Sequence, residues 1–241
     1  MPSLQQSRDA DHTTCSAPRR NTPSNRVVWF LVGCLAFLYL DRFTLPDTPI
    51  YRMGDELIYL ENAVKMFDGQ TLYRDFFQFT PPGTEFLYFS LFKLVGIHAW
   101  IPGVILLLLG MGFAWLSVTI TKRFISGVDV FLPGLLFLTS AYYWWLDGTH
   151  HWFSGFCVIA AMTVVLERRS PKRLTAAGAL CGLALCFTQL RGAAAALGLS
   201  AFLCWEYRNK RQSWASLLKN QAYALGEASR AIRYGIALAG P

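Results

Sequence analysis

The sequence predicts an all-α, polytopic membrane protein with about six spans, and three observations carry that reading. The chain has 241 residues, 54% of them hydrophobic and only 15% charged, where an ordinary soluble domain is about 25% charged. The uncharged residues fall in blocks: Ala99 to Thr121, Val130 to Leu146, Trp152 to Leu166, Leu174 to Leu190 and Gly192 to Trp205. A bilayer core needs roughly 20 mainly apolar residues per helix. Basic residues, finally, gather in short runs between the blocks. They read as loops held in the cytoplasm, not as a nucleic-acid surface, although the net charge is +7. A disordered chain, a disulfide scaffold and a typical soluble enzyme are excluded. The six cysteines form no CxxC, and most lie inside apolar blocks, so they read as small buried hydrophobes.

Residues 1–26 read as a disordered cytoplasmic tail, polar and rich in Ser, Thr, Arg and Pro. Asp9-Ala10-Asp11-His12 has the look of a metal motif but lies in this tail and reads as non-functional. The first apolar run starts at Val27, too late for a secretory signal and without a cleavage site, so it predicts an uncleaved span over 27–45. Arg19, Arg20 and Arg26 keep its start inside. Residues 41–98 then form a large outer loop. Three basic segments are cytoplasmic: Lys122-Arg123, Glu167 to Arg173, and Arg208 with Lys210 and Arg211. Working backward, the turns at 147–151 and 189–192 lie outside.

This alternation makes Ala99 to Thr121 enter from outside, so the apolar stretch before it cannot span. The 16 or so residues from Pro81 to Gly96 rise only about 24 Å as a helix, against a core of about 30 Å. They predict an interfacial helix with Phe86, Tyr88, Phe89 and Phe92 in the headgroup layer. The rival is a short true span, which would put Lys122-Arg123 outside. Six spans follow: 27–45, 99–121, 128–146, 151–166, 174–190 and 192–206, which together form a transmembrane domain over 27–206. The last two make a hairpin with Arg191 near its outer tip. Residues 207–241 read as a basic, amphipathic cytoplasmic tail.

Unusual polar residues collect on the outer face. Leu57, Leu60, Ala63, Val64 and Phe67 recur at helical spacing and predict a short amphipathic helix on the membrane. Asp55 and Glu56 stand at its start. Acids there complement the helix dipole. Adjacent carboxylates at a membrane surface equally suit a base or a cation site. Capping and catalysis explain the pair equally well from physics alone.

The string Gly54-Asp55-Glu56 with Tyr59 three residues on, then Asp68-Gly69-Gln70-Thr71-Leu72-Tyr73-Arg74-Asp75-Phe76-Phe77 and Thr80-Pro81-Pro82-Gly83, resembles the first outer loop of C-type membrane glycosyltransferases. That superfamily includes the protein O-mannosyltransferases and the bacterial lipid A aminoarabinose transferases. The resemblance covers residues 27–100 well and is looser to about 206. It implies interfacial helices in this loop and a catalytic carboxylate at Asp55, with Glu56 beside it. It also implies a polyprenyl-phosphate-linked sugar as donor and a lipid, glycan or protein as acceptor. The site would face outward from a membrane, the bacterial inner (plasma) membrane being the expected one. No cofactor is expected. No Asp-x-Asp lies in an outer loop, so no divalent-metal site is indicated, and no nucleic-acid partner is expected.

A leaving phosphate without a metal needs fixed positive charge. The outer candidates are Arg74, His150, His151 and Arg191, with Asp147 a further polar candidate. Each has a plainer role: Arg74 as the partner of Asp75 or Asp68, the histidines as part of an aromatic belt with Trp144, Trp145 and Trp152, Asp147 as a loop residue, and Arg191 as a snorkelling side chain. Enzymes of the superfamily are longer and carry more spans, so the chain reads as a truncated product, a fragment or a half that needs a partner. Two other functions fit the sequence. One is a non-enzymatic remnant or assembly subunit. The other is a transporter, against which the near absence of charge inside the blocks counts.

Overall fold

The computed structural model describes residues 24–44, 48–51, 55–145, 147–167 and 169–209, with scattered residues beyond. The metal-like Asp9 to His12, Gly54, Cys15 and most of the 207–241 tail lie outside the described residues. The chain is mostly helical. In order come α1 (Ser24–Arg42), the two-residue strands β1 (Phe43–Thr44) and β2 (Thr48–Pro49), α2 (Asp55–Phe67), α3 (Gly83–Val95) and α4 (Ile101–Thr121). The irregular helix α5 (Gly127–Tyr142) follows, then α6 (His150–Glu167), α7 (Pro171–Phe187) and α8 (Gln189–Asn209). Among the described residues α1, α4 and α6 are long and apolar enough to cross a membrane. Helix α7 has 17 residues and α5 is likewise shorter, while α8 has 21 but is less apolar.

Several boundaries shift from expectation. Helix α1 starts at Ser24, so residues 24–26 belong to the first helix and not to the tail. It stops at Arg42 because β1 and β2 pair antiparallel and fold the chain back. The break between α7 and α8 falls at Thr188, whose backbone is extended. Arg191 therefore sits in the first turn of α8 instead of in a loop. Ser170 begins α7 as its N-cap with Pro171 at the first helical position, the pairing expected of a helix start.

Helices α1 and α4 run antiparallel and close. A side chain at Gly110 would collide with Leu38 and Tyr142, and one at Gly103 with Phe43. Small residues of this kind let helix backbones approach within a membrane, where apolar burial drives nothing. Helix α5 changes pitch along its length, from 3₁₀ over Gly127–Phe131 through α to π over Phe137–Tyr142. Pro133 supplies no N–H, and Thr139 and Ser140 donate their hydroxyls to the carbonyls of Leu135 and Leu136, so side chains compete with the helical ladder.

Contacts sort the loops between two ends of the bundle. At one end Tyr51 reaches the Ala99 carbonyl (2.6 Å), Tyr88 the Gly148 carbonyl (3.0 Å) and Arg191 the His151 carbonyl (2.6 Å). At the other, Arg123 bonds the Leu166 carbonyl and Phe30 packs near Gly134. Helix α3 has 13 residues, about 20 Å of rise, and both its ends lie at the first end: Gly83 against Cys186, and Val95 leading into α4. One expectation is corrected. Tyr88 and Phe92 are not at the surface; they are 0% and 3% exposed and pack into the core with Phe153 and Phe187. Helix α3 is covered by α2, α6 and α7, so its tyrosine face turns inward.

Candidate functional site

The loop end of the bundle holds a layer of buried polar side chains, contributed by segments far apart in sequence. Arg42 ends α1 and is 2% exposed. The antiparallel pairing of β1 with β2 brings the Ile50 carbonyl back to accept from its guanidinium at 3.1 Å. In the first turn of α2, Asp55 is exposed while Glu56 is 1% exposed. The helical period separates the two neighbours by about 100°, so only one of them can face the core. Burial pushes the Glu56 carboxyl up to about 7; the Arg42 charge and the Gly148 amide oppose that rise, and the Asp147 charge adds to it.

Gly148 lies between α2 and α3. Its carbonyl accepts the Tyr88 hydroxyl, and a Cβ there would stand 2.0 Å from that hydroxyl oxygen and 2.5 Å from Glu56 Oε1. Only glycine fits so close an approach. The next residues finish the turn: Thr149 donates to Asp147 Oδ1 at 3.0 Å, and α6 begins at His150. Burial raises the Asp147 carboxyl, the Thr149 bond and the charges of His151 and Arg42 pull it down, and Asp55 raises it further. Asp55 thus acts electrostatically on Asp147 from the exposed side.

The sequence candidates divide into three groups. Asp147, His151 and Arg191 line one open cavity of about 310 Å³, with Trp145, Trp152, Phe113 and Phe137 as its aromatic walls. A second cavity, of about 300 Å³, shares Phe113, Phe137 and Ile159 with the first and is lined further by Ser117, Ile120, Thr121 and Pro133. Arg191 is held at the mouth by the His151 carbonyl and by Ser154, whose hydroxyl also meets Thr188 at 3.1 Å. His150 stands behind this group. Its Nδ1 is 2.5 Å from the Tyr59 hydroxyl, and its ring lies 3.9 Å from that of His151. Burial pushes the Tyr59 hydroxyl up to about 12, so it stays protonated, and its oxygen also lies 3.3 Å from Thr80 Oγ1.

Arg74 is not in the cavity. It pairs with Asp75 at 2.8 Å on an exposed loop, and that contact, with the Thr71 amide, lowers the Asp75 carboxyl to about 2. The plainer reading of Arg74 is the one the geometry follows.

Sequence reasoning missed Arg42, Tyr88, Gly148 and the wall formed by Phe113, Phe137 and Trp152. Arg42 carried a signal, as a basic residue at the end of an apolar run. Gly148 carried one too, between two polar residues in a short turn. Beside this layer, Gln78 donates to Glu85 at 2.9 Å, and burial raises that carboxyl. Among the described residues no three His, Cys, Asp or Glu side chains gather to hold a metal ion.

The arrangement offers a cation and a carboxylate in an aromatic-walled cavity, with a mostly apolar cavity beside it. Such a site can seat an amphiphile with an anionic head. No protein-family model, curated protein or solved structure matches this chain.

Proposed function

We propose that this chain belongs to a membrane glycosyltransferase of the C type, transferring a sugar from a polyprenyl-phosphate donor to a hydroxyl acceptor at the non-cytoplasmic face. In this reading the bundle crosses the membrane six times, with α3 interfacial and the loop end outside. The observation that carries it is the meeting of Arg191, His151 and Asp147 in one cavity that shares Phe113, Phe137 and Ile159 with a second, mostly apolar cavity. Phosphate and sugar occupy the mouth, and the prenyl chain follows the groove between α4, α5 and α6.

The chemistry assigns a step to each group. The acceptor hydroxyl oxygen attacks the anomeric carbon. The bond from that carbon to the phosphate oxygen breaks, and the lipid phosphate leaves with the electron pair. Asp55, exposed at the start of α2, takes the hydroxyl proton; a positioned base of this kind contributes about 10²–10⁴-fold. Arg191 faces the charge that grows on the phosphate, since its planar fork stays ionised and matches phosphate oxygens.

The test is a titration with polyprenyl phosphate in nanodiscs. Arg191→Leu should insert normally, because Leu is less costly than Arg in a membrane. It should weaken binding by about 1.5–3 kcal/mol, the range for a hydrogen bond to a charged group. Equal affinity in both proteins would remove Arg191 from the site and leave it a snorkelling residue.

A further inference from the structure

We propose that Tyr59 is a positioning residue: from α2 it donates to His150 Nδ1, holds that imidazole neutral at the start of α6, and so fixes the neighbouring His151 ring in the cavity. What the cavity binds rests on the function proposed above; the hydrogen-bonded chain through Tyr59 does not.

Tyr59, Tyr73 and Thr80 belong to the strings that set this loop apart in the sequence, and the transfer step gives none of them a task. The structure joins them. Tyr73 donates its hydroxyl to the Thr80 carbonyl at 2.8 Å. Its backbone has a φ of 67°, a conformation that a bulky residue keeps only where its surroundings hold it. The Thr80 hydroxyl lies 3.3 Å from the Tyr59 oxygen, and that oxygen lies 2.5 Å from His150 Nδ1. Tyr59 is 5% exposed, and its ring centroid is 5.7 Å from that of His150. The chain thus runs from the loop after α2, through α2, to the first residue of α6.

The distances give the chain a direction. Tyr59 has one proton and two neighbours. Hydroxyl donors stand roughly 2.5–3.0 Å from an acceptor, whereas N–H donors stand at roughly 2.7–3.2 Å. The 2.5 Å contact therefore takes the phenol proton, and the longer contact leaves Thr80 to donate to the Tyr59 oxygen. An imidazole that accepts at Nδ1 carries its proton on Nε2 and is neutral. His150 is then no cation for an anionic ligand, which leaves that task to Arg191 and His151 in the cavity.

His150 acts through its neighbour. Consecutive side chains on a helix diverge by about 100°, yet the two histidine rings meet with centroids 3.9 Å apart. Once Tyr59 pins the His150 ring, that ring is a fixed wall for His151. The His151 backbone is tied separately, through its carbonyl bond to Arg191, so the Tyr59 chain sets the orientation of the ring alone.

Ring-nitrogen NMR on the full chain in nanodiscs, with isotope-labelled histidine, reads the tautomer directly and needs no donor. The chain has four histidines, so His12→Gln and His98→Gln leave only the pair in question. At neutral pH the wild type should show His150 with a bare, hydrogen-bonded Nδ1 and a protonated Nε2. Tyr59→Phe keeps the ring and removes the hydroxyl, so His150 should relax to a mixture of tautomers and the His151 ring signals should shift with it. Thr80→Val should leave the His150 Nδ1 bare, because the phenol proton then has a single acceptor; the opposite direction of the chain would release the tautomer in that variant. A proton on Nδ1 in the wild type, a charged His150, or unmoved His150 and His151 signals in a folded Tyr59→Phe would each overturn the proposal. If Tyr59→Phe does not fold, the wild-type and Thr80→Val spectra decide. The expected ring signals in a wild type that binds no polyprenyl phosphate would remove the transferase reading and leave the chain standing, whereas binding with a proton on His150 Nδ1 would remove the chain alone.

Discussion

Gly148→Ala is the sharpest perturbation of this site. The added methyl would stand 2.0 Å from the Tyr88 hydroxyl oxygen and 2.5 Å from Glu56 Oε1. Those side chains are 0% and 1% exposed, so neither has space to swing away. Overpacking of this kind costs about 1–3 kcal/mol. Displacing the tyrosine also breaks its bond to the Gly148 carbonyl, about 1 kcal/mol more. The expected loss is therefore roughly 2–4 kcal/mol. Gly155→Ala supplies the control. It lies seven residues on, inside α6, with nothing within 4 Å of its added methyl, and replacing a helical glycine by alanine gains about 0.5–1 kcal/mol. Chemical unfolding of both variants in the same micelles, followed by circular dichroism, measures the difference. Gly148→Ala combined with Tyr88→Phe should recover part of the loss, because the nearest atom is gone. If Gly148→Ala unfolds at the wild-type midpoint, the turn is not clamped between α2 and α3 as described.

Four further outcomes are expected. Asp55→Asn should lower sugar transfer by about 100-fold or more, the scale of general-base catalysis, and leave folding unchanged because Asn serves well at a helix start; wild-type transfer would reduce Asp55 to a cap. Arg74→Ala should leave polyprenyl-phosphate affinity within about twofold, since Arg74 is paired with Asp75 on an exposed loop and does not line the cavity; a larger loss in the titration would return Arg74 to the site. The folded Glu56 carboxyl titrates near 7 against an ordinary value of 4.5, so its contribution favours the fold below pH 4.5 and is lost as pH rises through 7; unfolding of Glu56→Gln across pH 5–8 should lack that decline and exceed the wild type at pH 8 by up to about 3 kcal/mol. Gly192→Ala would place a methyl 2.4 Å from the Leu185 backbone nitrogen, which cannot rotate aside, so it should spread the α7–α8 hairpin and weaken phosphate binding through Arg191 even though it carries no charge.

The sequence by itself determined the helical class and the positions of the main apolar segments. Those follow from local quantities: the length of an uncharged run, the position of basic residues and a 3.6-residue period. Helix α2 was legible for that reason, as was the short α3. It also named Asp147, His151 and Arg191 as candidates, because polar residues at the end of an apolar run are unusual wherever they occur. Only the tertiary structure decided which candidates meet. Arg191 and His151 are 40 residues apart yet bonded at 2.6 Å, while Arg74 turned to its own neighbour Asp75. Asp55 and Glu56 could not be told apart by sequence, since either face of an undocked helix is equivalent. The docking of α2 against α3 and the Gly148 turn buried one and left the other in water. Tyr88 was read as a headgroup residue for the same reason: periodicity shows that a helix has an apolar face, but its partners decide whether that face meets lipid or protein.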